Sequence, residues 1–236
     1  KQSLADTVSV NEEGKFVFAS ETESLPPGIY LVVLAPDNNY FEILIGSDED
    51  QVFSVKANKD NLKDVRVEGS QENELFYGYM DFLGEQQAKS LPFREQLADT
   101  TLTAAQRAEA QAGIDALGET VSEYQEALVE NHPDAFISAI LEMNNPSTPP
   151  EYPEIVDEQA RNNKKLNWLK AHYFDKTNLK DLRLLRTPFL FQRINYFVDK
   201  LFIQHPDTIS VAIDRVLSKM DPQAEIFKNY VIHFVN

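Results

Sequence analysis

The apolar residues of this chain change their period at Gly69-Ser70, and this change divides the sequence into two parts. Before it, apolar and polar residues alternate in short runs, as they do in half-buried strands. After it, apolar residues recur every three or four positions, as they do in helices with one buried face. We therefore predict an α+β chain, with an antiparallel β-sandwich or small barrel over residues 1–70 and an all-α part over residues 71–236.

Six short runs in the first part have the composition of strands: 7–10, 15–18, 29–34, 40–45, 51–56 and 65–68. The first two flank Asn11-Glu12-Glu13-Gly14, a hairpin-type connection whose glycine can take a positive φ. The run at 29–34 is apolar on both faces, which indicates a central strand. Pro36-Asp37-Asn38-Asn39 predicts the turn that follows it.

Capping residues mark the first two helices of the second part. Ser70 is a predicted N-cap, and Thr103 with Gln106 predicts a capping box at the start of a long second helix. The spacing of the apolar stripe on this helix favours antiparallel packing on the first helix. The stripe comprises Ala110, Ile114, Leu117, Val121, Tyr124 and Leu128. Gly113 and Gly118 should weaken the helix by roughly 1 kcal/mol each relative to Ala.

The remaining chain contains a short helix, a linker and four further helices. The short helix is predicted over 135–143, and residues 145–153 form a linker because they contain four prolines. The later helices are predicted at about 154–174, 188–204, 208–219 and 222–236. Thr187 and Asp221 are their clearest N-caps, since a proline follows each of them at the first helical position.

The net charge of −16 is unevenly distributed along the chain. Residues 71–153 carry 3 basic and 15 acidic side chains, whereas residues 154–236 carry 13 basic and 10 acidic ones. Because nucleic-acid binding depends on cationic neutralisation of the phosphate backbone, we expect no nucleic-acid partner. The basic side chains of the last third alternate with acids, so they form either a local patch or an ordinary solvated helical surface.

Membrane and export signals are also absent from the sequence. The longest uninterrupted apolar run extends from Ile29 to Ala35, well short of the roughly 20 residues needed to cross a bilayer. Lys1-Gln2-Ser3-Leu4 is not followed by the apolar region of a signal peptide. A trimmed chain would begin in the same way, so this absence does not favour the cytosol.

No catalytic, cofactor or metal motif is present. The chain contains no cysteine, which excludes thiol nucleophiles, disulfides and cysteine-based metal sites. It also lacks Gly-x-Ser-x-Gly, the P-loop and Gly-x-Gly-x-x-Gly, and its 8 glycines are scattered. We therefore expect no catalytic residue, no cofactor and no metal ligand in this chain. One alternative function remains open: a metal-dependent hydrolase whose ligands come from distant positions in the sequence.

The histidines and one acidic run were considered as metal ligands. The four histidines show no His-Glu-x-x-His spacing. His132 and His205 each precede a proline, so both are predicted to end helices, where a positive charge is favourable. Asp48-Glu49-Asp50 offers oxygen ligands for calcium but lacks the spacing and the glycine of an EF-hand loop. We interpret this run as an exposed hairpin tip that discourages edge pairing.

Aromatic and arginine side chains provide the candidate binding residues: Trp168, His172, Tyr173, Arg183 and Arg186. Arginine with aromatic neighbours is typical of recognition surfaces. The alternative is that these side chains form core packing and ion pairs between helices. Tyr30, Tyr40 and Phe41 present the same choice, since they either line a ligand groove on the sheet or pack in its core.

Two segments resemble a known protein family. His172-Tyr173-Phe174-Asp175 and Arg183-Leu184-Leu185-Arg186-Thr187-Pro188, followed by Tyr196-Phe197 and Phe227-Lys228-Asn229-Tyr230, resemble a helical domain of unknown function. That domain precedes the thioredoxin-like domain in multidomain redoxin (thiol–disulfide oxidoreductase) proteins of the Bacteroidetes cell envelope. Upstream, Gly28-Ile29-Tyr30-Leu31 through Asn73-Glu74-Leu75-Phe76 resembles the β-rich domain of unknown function that heads those proteins.

The chain departs from the family pattern in two ways. Its β-rich module resembles one that has been truncated at its start, and the thioredoxin-like domain with its Cys-x-x-Cys is missing. The resemblance therefore implies an accessory role in the periplasm or cell envelope, in a protein that a lipid anchor outside this sequence attaches to the membrane. The implied partner is a protein or peptide, such as an adjacent thioredoxin-like domain. The rival hypothesis is a stand-alone periplasmic protein that binds a peptide or a glycan.

Overall fold

The computed structural model describes residues 3–20, 23–47 and 51–235, and its strands form two hairpins. Strands β1 (Gly28–Leu34) and β2 (Asn39–Ile45) pair antiparallel, with Gly28 opposite Ile45. Strands β3 (Ser54–Asn58) and β4 (Asn61–Glu68) form the second antiparallel pair. Within the described residues each sheet has two strands and neither closes, so a sandwich or barrel is not confirmed. The prediction of a central strand at 29–34 is wrong, because β1 pairs with β2 alone in this part of the chain.

The predicted strands at 7–10 and 15–18 do not form, since no strand occurs between residues 3 and 20. The turn between them does form: the amide of Asn11 donates to the carbonyl of Lys15 at 2.9 Å, and Gly14 has a φ of +77°. Phe16 packs against the apolar cluster that Phe41, Val65 and Val67 form. The alternation of apolar and polar residues provides this segment with an apolar face to bury. A strand also needs a neighbouring backbone with which to form inter-strand hydrogen bonds.

Three helices follow the hairpins: α1 (Gln71–Ala98), α2 (Ala104–Asn131) and α3 (Phe136–Asn144). The predicted caps of the first two are confirmed. The Ser70 hydroxyl accepts from the amide of Asn73, and Thr103 forms both hydrogen bonds of its capping box with Gln106. In the described chain no helix, including these two long ones, combines the length and apolar character that membrane crossing requires.

Five helices complete the fold: α4 (Glu158–His172), α5 (Leu182–Leu185), α6 (Pro188–Lys200), α7 (Pro206–Leu217) and α8 (Glu225–Val235). Residues 145–153 contain neither helix nor strand. The prediction that Thr187 caps a helix with Pro188 in its first turn is confirmed for α6. The four-residue α5 was not predicted, because a single turn is too short to show a helical period.

Two predicted helix boundaries are wrong. Asp221 does not cap α8, because its carboxylate and carbonyl accept from Gln223 and Ala224 in a separate turn before the helix. His205 does not end a helix: it is the N-cap of α7, and Pro206 begins that helix. A proline disfavours helical backbone at the preceding residue, but it equally favours the start of the next helix. The corresponding prediction for His132 is confirmed, since it ends α2.

The largest apolar cluster lies among the helices and includes a residue from the β part. It contains buried residues of α3, α5, α6, α7 and α8, together with Leu44 of β2. A second cluster joins α1, α2 and α3 around Tyr79 and Leu128. A third joins the two hairpins through Phe41, Val65 and Val67. The first hairpin therefore packs on the second hairpin and on the helices.

Helix α1 also binds the edge of β2 through polar side chains. The amide side chain of Asn73 is fully buried; its oxygen accepts from the Leu44 amide at 2.8 Å and its nitrogen donates to the Leu44 carbonyl at 2.7 Å. One turn further along, the Tyr77 hydroxyl donates to the carbonyl of Glu42 at 2.6 Å. These side chains satisfy backbone groups that a third strand would otherwise pair.

Candidate functional site

The aromatic candidates Trp168 and His172 lie one turn apart on α4 and stack on each other. Their ring centroids are 4.2 Å apart and their planes are inclined by 26°. Nδ1 of His172 lies 2.7 Å from a carboxylate oxygen of Asp175, just beyond the end of the helix. Both rings are partly exposed. This pair forms an orderly aromatic surface that a sugar or an aromatic side chain can contact.

Tyr173, the third aromatic candidate, is buried in the core. Its ring contacts Phe174 and Phe197, with centroid separations of 5.0 and 5.2 Å. The guanidinium carbon of Arg193 lies 4.4 Å from the ring centroid, and Arg193 also donates to the Tyr173 carbonyl. Burial raises the pKa of the Tyr173 phenol. Tyr173 therefore contributes to the packing of the main core.

Arg183 is nearly buried, with its side chain 16% exposed, and it contacts two carboxylates. One of its terminal nitrogens lies 2.8 Å from Asp181 and the other lies 3.5 Å from Glu72 of α1. The same guanidinium donates to the carbonyl of Asp134, before α3, at 2.7 Å. In the low-dielectric surroundings of these groups, such charged hydrogen bonds are stronger than at the surface.

Phe136 completes the network around Arg183. Its ring lies 5.4 Å from the guanidinium carbon, and its amide donates to the second oxygen of Glu72 at 2.7 Å. That amide is one of the unpaired donors at the start of α3, where the N-cap, Ala135, makes no side-chain hydrogen bond. Glu72 and Arg183 therefore hold α1, α3 and α5 together.

Arg186 contacts a different set of elements. Its terminal nitrogen donates to both carboxylate oxygens of Glu225 in α8, at 2.8 and 3.0 Å. Its carbonyl accepts from the amide of Ile29 in β1 at 3.2 Å. Gly28 allows this approach, because its φ is +154° and a Cβ there would collide with the Cβ of Arg186. Arg186 thus joins the first hairpin to α5 and α8.

The residues between the two arginines are equally involved in the fold. Leu184 is fully buried in the main cluster. The Thr187 hydroxyl donates to the Leu184 carbonyl at 2.8 Å and accepts from the amide of Leu190 at 3.3 Å, so it both closes α5 and caps α6. We call residues 181–187 the junction segment, because they connect α1, α3, α6, α8 and the first hairpin.

The five candidate binding residues are therefore divided between two places. Trp168, His172 and Tyr173 lie together at the end of α4, where the first two pair with each other. Arg183 and Arg186 lie in the junction segment, each with acidic partners. Sequence reasoning missed those partners, Glu72, Asp181 and Glu225, because carboxylates are abundant and nothing local distinguishes the paired ones.

A groove that the sequence did not reveal lies beside the C-terminal end of α6. It has a volume of about 480 Å³ and is lined by Asn163, Leu166, Asn167, Lys170, Lys200, Leu201, Phe202 and Ile203. We call it the cationic groove, because two lysines line it and Arg215 approaches the same Phe202 ring as Lys170. These residues are distant in sequence, so only the fold brings them together.

The aromatic residues of the first hairpin do not act alike. Phe41 is buried in the cluster between the hairpins, whereas Tyr40 is 54% exposed. The Tyr30 hydroxyl donates to the carbonyl of Pro26 at 2.7 Å. The acidic run at 48–50 lies outside the described residues. In the part of the chain that is described, no three His, Asp or Glu side chains are arranged to hold a metal ion.

Comparison with known proteins gave two matches, both to families without an assigned function. A model described as a domain of unknown function (DUF5106) matches residues 100–235, which include the junction segment, the Trp168–His172 pair and the cationic groove. A second domain of unknown function (DUF4369) matches residues 1–76, which include both hairpins. Neither the curated proteins nor the solved structures gave a match.

Proposed function

Since the chain belongs to the family of the domain of unknown function DUF5106, we propose that it is a non-catalytic accessory or recognition region of a cell-envelope thioredoxin-like thiol–disulfide oxidoreductase. In this proposal the chain presents a partner or substrate to a redox domain outside this sequence. The protein resides in the periplasm or cell envelope, where a lipid anchor outside the sequence attaches it. Its partner is a protein or a peptide.

The junction segment carries this proposal. The Arg-Leu-Leu-Arg-Thr-Pro run, on which the resemblance to envelope redoxins depends, uses both arginines for internal contacts with Glu72 and Glu225. It thereby fixes the first hairpin relative to the helices. A region that presents a substrate needs such fixed geometry, because misplacement of a reacting group by about 1 Å can cost roughly 100-fold in rate. Because this chain contains no cysteine, the thiol chemistry in this proposal belongs to another domain.

We propose that the chain consists of two units that are held in a fixed orientation. Residues 1–70 form the β-rich unit and residues 71–236 the helical unit, with residues 145–153 as a proline-rich linker inside the helical unit. The hydrogen bonds from Asn73 to Leu44 and from Ile29 to Arg186 support a fixed orientation of the two units.

The natural coding sequence and a deletion test this proposal together. We expect a thioredoxin-like domain with Cys-x-x-Cys to be encoded next to this chain. Deleting residues 1–236 from that longer protein should lower kcat/KM for a protein disulfide substrate and leave kcat/KM for a small-molecule disulfide unchanged. The absence of such a domain, or equal loss with both substrates, would contradict the proposed role.

The second candidate is a stand-alone periplasmic peptide- or glycan-binding protein. The partly exposed Trp168–His172 stack favours it, because aromatic faces bind sugars and aromatic side chains. Trp168 is the only tryptophan in the chain, so its emission reports directly on this surface. A saturable change on titration with envelope oligosaccharides or peptides would support this candidate, and unchanged emission with all of them would reject it.

A further inference from the structure

The cationic groove gathers positive charges in a chain with a net charge of −16. Lys170 Nζ lies 4.6 Å from the centroid of the Phe202 ring, and the guanidinium carbon of Arg215 lies 5.6 Å from it. Lys200 lines the same groove. Among the described residues, none of these three cations has a carboxylate oxygen within ion-pair distance. Like charges brought close together repel each other, and an anion bound among them would relieve that repulsion.

The electrostatics of Lys170 support the same conclusion. Burial lowers the pKa of its ammonium group, and the nearby Arg215 lowers it further. A carboxylate in the groove would offset both effects, because it would attract the charged ammonium group and accept hydrogen bonds from it. The fold thus positions a charged donor whose natural partner is an anion.

An apolar rim accompanies the cations. Ile203 is 77% exposed and Leu166 is 38% exposed, although most large apolar side chains in this region are buried. The side-chain nitrogen of Gln204 donates to the carbonyls of Val198, Asp199 and Phe202 at the end of α6, at 3.2, 2.8 and 3.2 Å. These bonds order the segment that carries Ile203. The rim therefore presents a fixed apolar contact beside the lysines.

Size and lining define the kind of occupant. The groove has a volume of about 480 Å³ and is open to solvent, so an exposed chain segment can enter it from the surface. Asn163 and Asn167, one turn apart on α4, offer amide donors and acceptors that match a peptide backbone. None of the described residues that line the groove is acidic.

We propose that the cationic groove binds an acidic peptide segment that carries an apolar side chain, with carboxylates on Lys170 and Lys200 and the apolar group between Leu166 and Ile203. This inference deepens the proposed recognition role, and it rests on that role for its biological meaning. Charge complementarity favours an acidic peptide, since two lysines and no acidic residue line the groove as it is described.

Fluorescence polarisation on the whole chain tests the proposal with a labelled peptide, Glu-Asp-Leu-Ile-Asp-Glu, blocked at its C-terminus. Three related probes serve as comparisons: the Gln/Asn form, the Lys/Arg form, and a form with Ser in place of Leu and Ile. We expect saturable binding of the acidic apolar peptide alone. Lys170→Gln and Lys200→Gln should each raise its Kd about tenfold, because each removes one charge-assisted hydrogen bond.

Two further variants separate the groove from general effects. Ile203→Ser should weaken binding of the acidic apolar peptide. It should leave the melting temperature of the protein unchanged, since Ile203 is largely exposed. Lys228→Gln removes one positive charge from α8, outside the groove, and should leave the Kd within twofold of the native value. Should Lys170→Gln fail to fold, Lys200→Gln and Ile203→Ser still decide the outcome.

Three results would overturn the assignment. One is equal binding of the acidic and neutral peptides. Another is a loss of peptide affinity in the Lys228→Gln variant as large as the loss in the Lys200→Gln variant. The third is binding to vesicles of anionic phospholipid that depends on the same residues and exceeds peptide binding, which would make this a membrane-contact surface. If the peptide fails to bind while the deletion still lowers protein-disulfide turnover, the groove assignment fails and the accessory role stands.

Discussion

Asn73 shows how one polar side chain can replace a strand. It is fully buried, and it pairs with both backbone groups of Leu44 while its nitrogen also donates to the Ser70 hydroxyl. Every polar atom of the amide is therefore used. Such a side chain fixes the distance between α1 and β2 in a way that an apolar contact does not, because hydrogen bonds are directional.

Asn73→Ala should lower the free energy of unfolding by about 3–5 kcal/mol, since it leaves the amide and the carbonyl of Leu44 buried without partners. Asn229→Ala is the control, because Asn229 is exposed and its side chain donates within its own helix, to the carbonyl of Glu225. It should change stability by less than about 0.5 kcal/mol. Urea unfolding measures the stability of both variants. Equal losses of stability would show that the hydrogen bonds of Asn73 stabilise the fold no more than those of an exposed asparagine.

Arg183 and Arg186 are three residues apart but differ in burial. Arg183→Ala leaves the carboxylates of Glu72 and Asp181, 13% and 9% exposed, without their cation. It should destabilise the fold by about 3–5 kcal/mol. Arg186→Ala removes an ion pair whose acidic partner, Glu225, is 50% exposed, so it should cost about 1 kcal/mol or less. Thermal unfolding of both variants decides whether the network is internal, and a higher melting temperature for Arg183→Ala than for Arg186→Ala would contradict it.

Tyr77 predicts how stability depends on alkaline pH. Burial and the neighbouring Glu42 raise the pKa of its phenol to about 12, above the ordinary value of 10.0. The neutral phenol is therefore favoured in the folded state, and this contribution is complete below pH 10 and is lost as the pH rises through 12. The stability difference between the native chain and Tyr77→Phe should narrow over that interval. If urea titrations show the same stability difference between the two proteins from pH 9 to 12, the pKa of Tyr77 is not raised by the fold.

At the scale of elements, the two glycines of α2 have different roles. A Cβ at Gly113 would lie 2.5–2.8 Å from ring atoms of Phe93 in α1, whereas a Cβ at Gly118 meets nothing within 4 Å. The absence of a side chain at Gly113 thus allows α1 and α2 to approach closely. The sequence treats the two positions alike, since each is a glycine within a helical stripe.

Gly118→Ala should stabilise the protein by up to about 1 kcal/mol, because alanine has the higher helix propensity. Gly113→Ala should fail to stabilise it, since the Phe93 ring must move to admit the methyl group. Urea unfolding of the two variants provides a comparison within one helix. Equal stabilisation by both would show that Phe93 adapts without cost.

The elements that could be predicted from sequence are those with local signals. Ser70, the Thr103–Gln106 pair and Thr187-Pro188 mark helix starts through hydrogen bonds within three residues, and the structure contains all of them. The strands predicted before residue 20 were wrong because a strand depends on a partner that its own sequence does not specify. Candidate binding residues were harder still, since burial and ion pairing depend on residues as distant as Glu72 is from Arg183.

For the whole molecule, charge and packing have different distributions. The long helices α1 and α2 lie in the part that carries a net charge of −12, whereas the last third carries +3 and forms the cationic groove. The main core crosses this division, since Phe136 and Ile140 of α3 belong to the same buried cluster as Leu184 and Ile226 of the last third. The chain therefore differs in charge along its length, while one buried apolar cluster connects the differently charged parts.

That continuity is tested most directly by following the two parts of the chain separately during unfolding in urea. Trp168 emission reports on the helices, and hydrogen exchange of the Leu44 amide reports on the contact between β2 and Asn73. We expect the same free energy of unfolding from both probes, and an equal decrease in both when Arg183 is replaced by Ala. If the opening free energy from exchange of the Leu44 amide is several kcal/mol lower than the unfolding free energy from Trp168 emission, the hairpins open independently of the helices.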